Sequence, residues 1–340
     1  MGGAGVWRGL GQSAFLADVG ARDRDPARIS ATVIAGACVG LVASVACWIL
    51  VLVPYTLLVG LGREGLLGLG KVALMFKDAD AHDLGITVLR LVESTATDGA
   101  FPLAFVALAA TITSRPFQHY VTAARRIRWR LVLIGLGLTF IAMAPLVIAS
   151  RLTDQGGPPA PILDIAPSLA GRFVYLLAAL LLIPSAAAEE LMFRGWLLRQ
   201  LAAFTRHPGV LIAATALAFA AAHFDFSPDA FLTRTLMGAG FAYMTLRLGG
   251  IELATGAHAA NNILFILFIE PLNPAAETAA RGVPTGILFG DVILVAGYIV
   301  IAEAAARYAP LRRWAGVDGT EVAPPPAMAV TEFDPPPAQA

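Results

Sequence analysis

Glu189 and Glu190 stand side by side in an otherwise apolar run, Leu180-Leu-Leu-Ile-Pro-Ser-Ala-Ala-Ala-Glu-Glu-Leu-Met-Phe-Arg194. A charged side chain at membrane depth costs about 2.5–3.5 kcal/mol on insertion scales, so a pair kept there marks a site that is used. Glu190 and Arg194 are four residues apart, with the acid in the favoured N-terminal position, and are expected to pair on one helix face. That leaves Glu189, about 100° further round the helix, without a local partner. It is the candidate general base.

Two further polar groups interrupt apolar helices: His223 in Phe219-Ala-Ala-Ala-His223, and His258 with Asn262 in His258-Ala-Ala-Asn-Asn262. Taken singly, each is as well explained by packing or by hydrogen bonds between helices. Their depths argue for treating them together. Counted from the turn at Arg206-His207-Pro208, Glu189 lies roughly 25 Å in and His223 roughly 21 Å in at ~1.5 Å per residue. Counted from Gly249-Gly250, His258 lies ~10 Å and Asn262 ~16 Å in. All four are expected to line one cavity. A carboxylate and an imidazole at one depth activate a water, and a second imidazole with an amide stabilises a developing oxyanion. Such a set suits water attack on an amide or ester. No serine sits in a G-x-S-x-G turn, and Cys38 and Cys47 are remote, which disfavours a covalent acyl-enzyme. A zinc reading with Glu189, His223 and His258 as ligands stays open, although H-E-x-x-H is missing.

The elements that must position these residues are apolar helices. The chain of 340 residues is 57% hydrophobic and only 14% charged, with a mean hydropathy of +0.72. Soluble domains carry about 25% charge. Near-spanning apolar segments fall at 31–61, 99–114, 131–150, 172–205, 209–224, 230–247, 252–270 and 283–306. The reading is an all-α polytopic membrane protein of about eight transmembrane helices around a cytosol-facing cavity. Alternate loops and helix ends carry the arginines: Arg8 to Arg28, Arg115 to Arg130, Arg194 with Arg199 and Arg206, Arg247, and Arg307 to Arg313. The intervening loops hold mainly Asp and Glu. Positive-inside bias then puts both termini in the cytoplasm, in a bacterial inner membrane. The stretch 62–98 is either an external loop or an interfacial helix. The expected organisation is a cytoplasmic segment at 1–30, a helical domain at 31–309 with its core at 172–270, and a Pro/Ala-rich disordered tail at 310–340. The formal net charge is zero, which gives no case for a nucleic-acid partner. The expected partners are the bilayer and a membrane-associated peptide or protein.

Together, Glu189-Glu190-x-x-x-Arg194, Phe219-x-x-x-His223 and His258-x-x-x-Asn262 resemble the signature of the CAAX prenyl endopeptidase family. Its bacterial members are the CPBP (CAAX protease and bacteriocin-processing, or Abi) intramembrane proteases. The resemblance covers about 172–270. It implies an eight-helix fold open to the cytosol, Glu189 and His223 activating water, and His258 with Asn262 forming the oxyanion hole. Glu190 and Arg194 would brace the helix. The family was long described as metalloproteases, and a glutamate-dependent mechanism is now favoured. Eukaryotic members trim prenylated proteins; bacteria generally lack that modification, so the substrate does not carry over. The rival readings are a non-catalytic scaffold of the same fold and a proton-coupled transporter.

Overall fold

The structure is a computed structural model, and it describes residues 7, 9–59, 83–153, 159–269 and 285–317. The chain is an all-α polytopic membrane protein, and among the described residues there is no β-strand. Its main helices are α1 (Pro26–Val59), α2 (Leu84–Ile112), α3 (Trp129–Thr153), α4 (Leu169–Ala202), α5 (Pro208–Ala221), α6 (Pro228–Leu248), α7 (Glu252–Phe268) and α8 (Thr285–Arg307). A short helix, α9 (Ala309–Trp314), follows. Three of these, at 26–55, 84–112 and 169–202, are long and apolar enough to cross a bilayer; 129–145 and 208–221 are shorter apolar helices. Ile34, Leu41, Val42 and Leu50 of α1 point outward, as expected of a surface solvated by lipid.

α7 is the central post. Nearly every residue from Glu252 to Leu267 is buried, as expected of a helix that is apolar on all sides. It packs on α3, α4 and α6, while α1 lies against α2, and α5 and α8 flank α6. The α3–α7 crossing is made of backbone. A Cβ on Gly256 would overlap the Val132 carbonyl, and one on Gly135 would overlap the Leu253 carbonyl. Small residues are what allow such close approach between helices in lipid.

α4 is not a regular helix. It breaks at Leu180–Leu181, where the amides of Leu180, Leu181 and Ile183 bond three residues back instead of four. The cause is Pro184, whose ring lacks an N–H and collides with the carbonyl four residues earlier, that of Leu180. The Thr95 hydroxyl of α2 donates to the neighbouring Leu181 carbonyl at 3.2 Å. Directly after Glu190 the helix widens into a π-helical stretch, Leu191–Leu197. Such stretches often accompany functional sites.

Residues 9–25, expected only as a polar lead, form a packed strap. Leu10, Phe15 and Leu16 are buried in one core cluster with residues of α2, α4, α5 and α6. Its polar fastenings run to three of the arginine-bearing segments. Arg199 reaches the Phe15 carbonyl and Asp18, Arg206 donates to the carbonyls of Leu16 and Val19, and Arg115 bonds Asp18 and Asp23. Ser13 donates to the Leu246 carbonyl. Burial alone would raise the Asp18 carboxyl, but the Arg199 and Arg115 guanidiniums outweigh it and hold the group well below the usual carboxylate range.

Two boundaries differ from expectation. The second helix begins at Leu84, not 99, because its charged residues are accommodated inside the helix. Ser94 donates to Asp98 and Thr97 to Glu93 one turn away, and Arg90 is buried. Of the expected loop, 60–82 lies outside the described residues. The expected tail at 310–340 begins as structure: α9 is helical, Ala315 is buried, and Arg130 donates to the Trp314 carbonyl. Residues 318–340 lie outside the described residues.

Candidate active site

The site is built where α4, α5, α6 and α7 meet. Glu190 and Arg194 are both fully buried and pair at 2.9 Å. Arg194 also donates to the Gly238 carbonyl of α6 at 3.0 Å. Its guanidinium lies over the rings of Phe219 (4.6 Å), Phe241 (5.2 Å) and Phe193 (5.9 Å). A planar cation with several donors suits this box of one carboxylate, one carbonyl and three aromatic faces.

Glu190 does not act only within its own helix. The same oxygen, Oε1, lies 3.0 Å from Nδ1 of His258 on α7. A carboxylate paired with a guanidinium accepts, so His258 donates from Nδ1. The other ring nitrogen, Nε2, faces Glu189 Oε2 at 3.8 Å. That gap is too long for a hydrogen bond. The Glu189 side chain is 25% exposed, whereas Glu190 is completely enclosed. The two adjacent acids therefore occupy different environments and address opposite edges of one imidazole.

His258 is clamped between rings, stacked on Phe241 at 5.1 Å and edge-on to Phe219 at 5.5 Å. Phe219 also holds His223, centroid to centroid at 4.8 Å, and the His223 Nδ1 bonds the Phe219 carbonyl at 2.8 Å. The carbonyl can only accept, so Nδ1 is the donor and Nε2 is the acceptor nitrogen of a neutral His223 ring. Asn262, half-buried, lies one turn beyond His258 on the same side of α7.

Glu189, Glu190, Arg194 and His258 are thus in one constellation, and His223 joins it through Phe219. Sequence reasoning matched Glu189 to His223 by depth; the ion-pair contact of Glu189 is with His258. It treated Glu190 as neutralised within α4, whereas Glu190 also bridges to α7. Phe241 and Gly238 were missed, because a phenylalanine and a glycine in an apolar helix carry no sequence signal of a role. Buried Arg128, paired bidentate with Glu252 at the start of α7 at 2.8 and 2.6 Å, was missed as well. As for a metal, no three His, Cys, Asp or Glu side chains among the described residues are arranged to hold an ion. Glu189, His223 and His258 are not gathered into a ligand cage in this arrangement.

With this geometry in hand, the relatives are informative. Residues 171–264 match the family model described as type II CAAX prenyl endopeptidase, Rce1-like. The matched stretch spans most of α4, all of α5 and α6, and α7 through His258 and Asn262. That description is of a family of CAAX-type proteases. The chain is also 35% identical over 188 residues to the uncharacterized protein YyaK of Bacillus subtilis (strain 168). That stretch covers 51% of this chain and 61% of the Bacillus protein. No solved structure matches the chain.

Proposed function

We propose that the chain is an intramembrane endopeptidase of the CPBP group, cleaving a membrane-associated peptide or protein with a water activated by Glu189. Its place is the bacterial cytoplasmic membrane, with both termini in the cytoplasm. The observation that carries this reading is the asymmetry of the two glutamates about His258. One is enclosed and committed to Arg194 and Nδ1; the other is partly open and sits 3.8 Å from Nε2.

In the proposed step, Glu189 takes one proton from water and the resulting hydroxide attacks the carbonyl carbon of the scissile amide. The carbonyl electron pair moves onto oxygen. Donors for that oxyanion are the Asn262 amide and Nε2–H of His258 in its doubly protonated form, with Glu190 accepting from Nδ1. Collapse of the intermediate breaks the C–N bond, and the proton held by Glu189 passes to the leaving amine. His223, with Nδ1 held by the Phe219 carbonyl, offers Nε2 as an acceptor for the water. Arg194 and its aromatic box act as a brace, holding Glu190 and His258 in one orientation.

The decisive experiment compares membrane peptides from cells carrying the wild-type chain and Glu189→Gln. Fragments present only with the wild type, and lost equally with His258→Ala, support hydrolysis at this site. Identical peptide sets, with both proteins inserted and folded, would leave a scaffold as the better reading.

A further inference from the structure

His223 stands just past the end of α5, and the turn that follows it is strained. The helix tightens as it ends: the amides of His223 and Phe224 bond three residues back, to the carbonyls of Ala220 and Ala221. Phe224 then takes a φ of 54°, in the left-handed region where helices that end this way usually place glycine. A Cβ crowds the following carbonyl there, so a phenylalanine is disfavoured. Burial does not offset the strain, because Phe224 is 85% exposed.

The next residue holds the turn. Asp225 Oδ1 accepts from the Ser227 amide at 3.1 Å and from the Ser227 hydroxyl at 2.8 Å. Its Oδ2 accepts from Arg234 Nη1 at 2.9 Å. Arg234 belongs to α6, so this ion pair fastens the turn to a helix that already serves the site. One turn further along α6, the Gly238 carbonyl accepts from Arg194, and Phe241 stacks on His258. The charge of Arg234 also reaches His223. Among the described residues the His223 ring makes one hydrogen bond, from Nδ1 to the Phe219 carbonyl. The orientation of the turn is therefore what else can place the ring.

Strained backbone persists only where its surroundings over-determine it, and such places cluster at functional sites. We propose that Arg234, acting through Asp225, is a positioning residue for His223: the clamp holds the strained turn, and the turn fixes where the imidazole stands. This rests on the reading of His223 as part of the water-activating site.

The test first reads His223 without any substrate. Exchange of the imidazole Cε1 proton for deuterium, followed by mass spectrometry of the full chain in detergent, reports the setting of each histidine. Arg234→Gln should speed exchange at His223 by roughly threefold or more, with His258 within about twofold of wild type. Phe224→Gly supplies the decisive rescue, because glycine adopts a positive φ without strain. In Phe224→Gly combined with Arg234→Gln, exchange should return to within about twofold of Phe224→Gly alone. In cells, the membrane fragments that depend on Glu189 should fall roughly tenfold or more with Arg234→Gln and recover in the double variant. Arg234→Lys, which keeps a cation for Asp225, should lose much less. Unchanged exchange at His223 in Arg234→Gln would overturn the proposal. So would faster exchange that Phe224→Gly does not repair, which would assign Arg234 a direct effect of its charge. Fragments missing already in wild type would overturn the peptidase reading alone, and the exchange rates would still judge the clamp. Should Arg234→Gln fail to purify as a single species, Asp225→Asn, which keeps an oxygen for Ser227, decides between the same outcomes.

Discussion

His258 Nδ1 lies 3.0 Å from Glu190 Oε1, although the two residues are 68 positions apart and on different helices. Because Arg194 binds that same oxygen, this contact ties the brace in α4 to the imidazole in α7. Glu190 and Glu189 should therefore respond differently to the same chemical change. Glu190→Gln leaves the Arg194 charge buried without its counter-ion, a defect that costs about 3–5 kcal/mol. Glu189→Gln alters a partly exposed group with no direct hydrogen bond to His258, and should cost under ~1 kcal/mol while abolishing cleavage. Thermal unfolding in detergent, run beside a cleavage assay, checks both. Equal destabilisation by the two variants would contradict the division of roles.

The crossing of α3 and α7 gives a second prediction. Gly256 stands two residues before His258 and has no room for a Cβ, because the Val132 carbonyl occupies that space. Gly256→Ala should force the helices apart, lower stability by about 1–3 kcal/mol, and shift His258 relative to the glutamates. Gly137→Ala, at a glycine of α3 with nothing within 4 Å, is the matched control and should be neutral or mildly stabilising. A drop in both stability and activity confined to Gly256→Ala is the expected result.

The strap makes a pH statement. The folded Asp18 carboxyl titrates below its unfolded value, because the arginines outweigh the burial that opposes them. A depressed carboxyl contributes stability that is fully present above the unfolded pKa, about 3.9, and lost as pH falls through the folded one. The strap should therefore stay fastened, with no change from this group, between pH 5 and pH 8. Asp18→Asn should loosen it across that whole range, by about 1–3 kcal/mol, since Arg199 and Arg115 lose their shared acceptor. Limited trypsin digestion at Arg22 and Arg24 reads this directly. Cleavage should be faster in the variant at every pH, not only in acid.

The helices were legible because apolar runs of spanning length leave few alternatives, and the glutamates because charge in such a run is costly. The start of α2 was not, since Arg90, Glu93 and Asp98 break the apolar pattern, and only the helix itself brings Ser94 and Thr97 to the two acids one turn away. The strap was hidden for a related reason. Asp18 looks like an ordinary polar residue until Arg115 and Arg199, 97 and 181 positions away, are brought to it. Within the site, i,i+4 spacing revealed Glu190–Arg194, but the Glu190–His258 contact depends on how α4 meets α7. Local spacing does not encode that.

How α4 meets α7 depends on Pro184, and this supplies the last prediction. The break at Leu180–Leu181 lies above the glutamates and the π-helical stretch begins directly below them, so Glu189 and Glu190 sit on a short segment between two irregularities. Pro184→Ala restores the missing N–H and removes the clash with the Leu180 carbonyl, which permits a continuous helix. The segment carrying the glutamates would then rotate relative to His258, and the Leu180 carbonyl, which now accepts from the Ile183 amide, would accept from residue 184 instead. Interior proline costs a helix about 3 kcal/mol, so the variant should be at least as stable as wild type. Its cleavage rate should nevertheless fall by tenfold or more, as expected when a base is displaced by about 1 Å. A variant with both higher stability and undiminished cleavage would show that the break plays no part in placing Glu189.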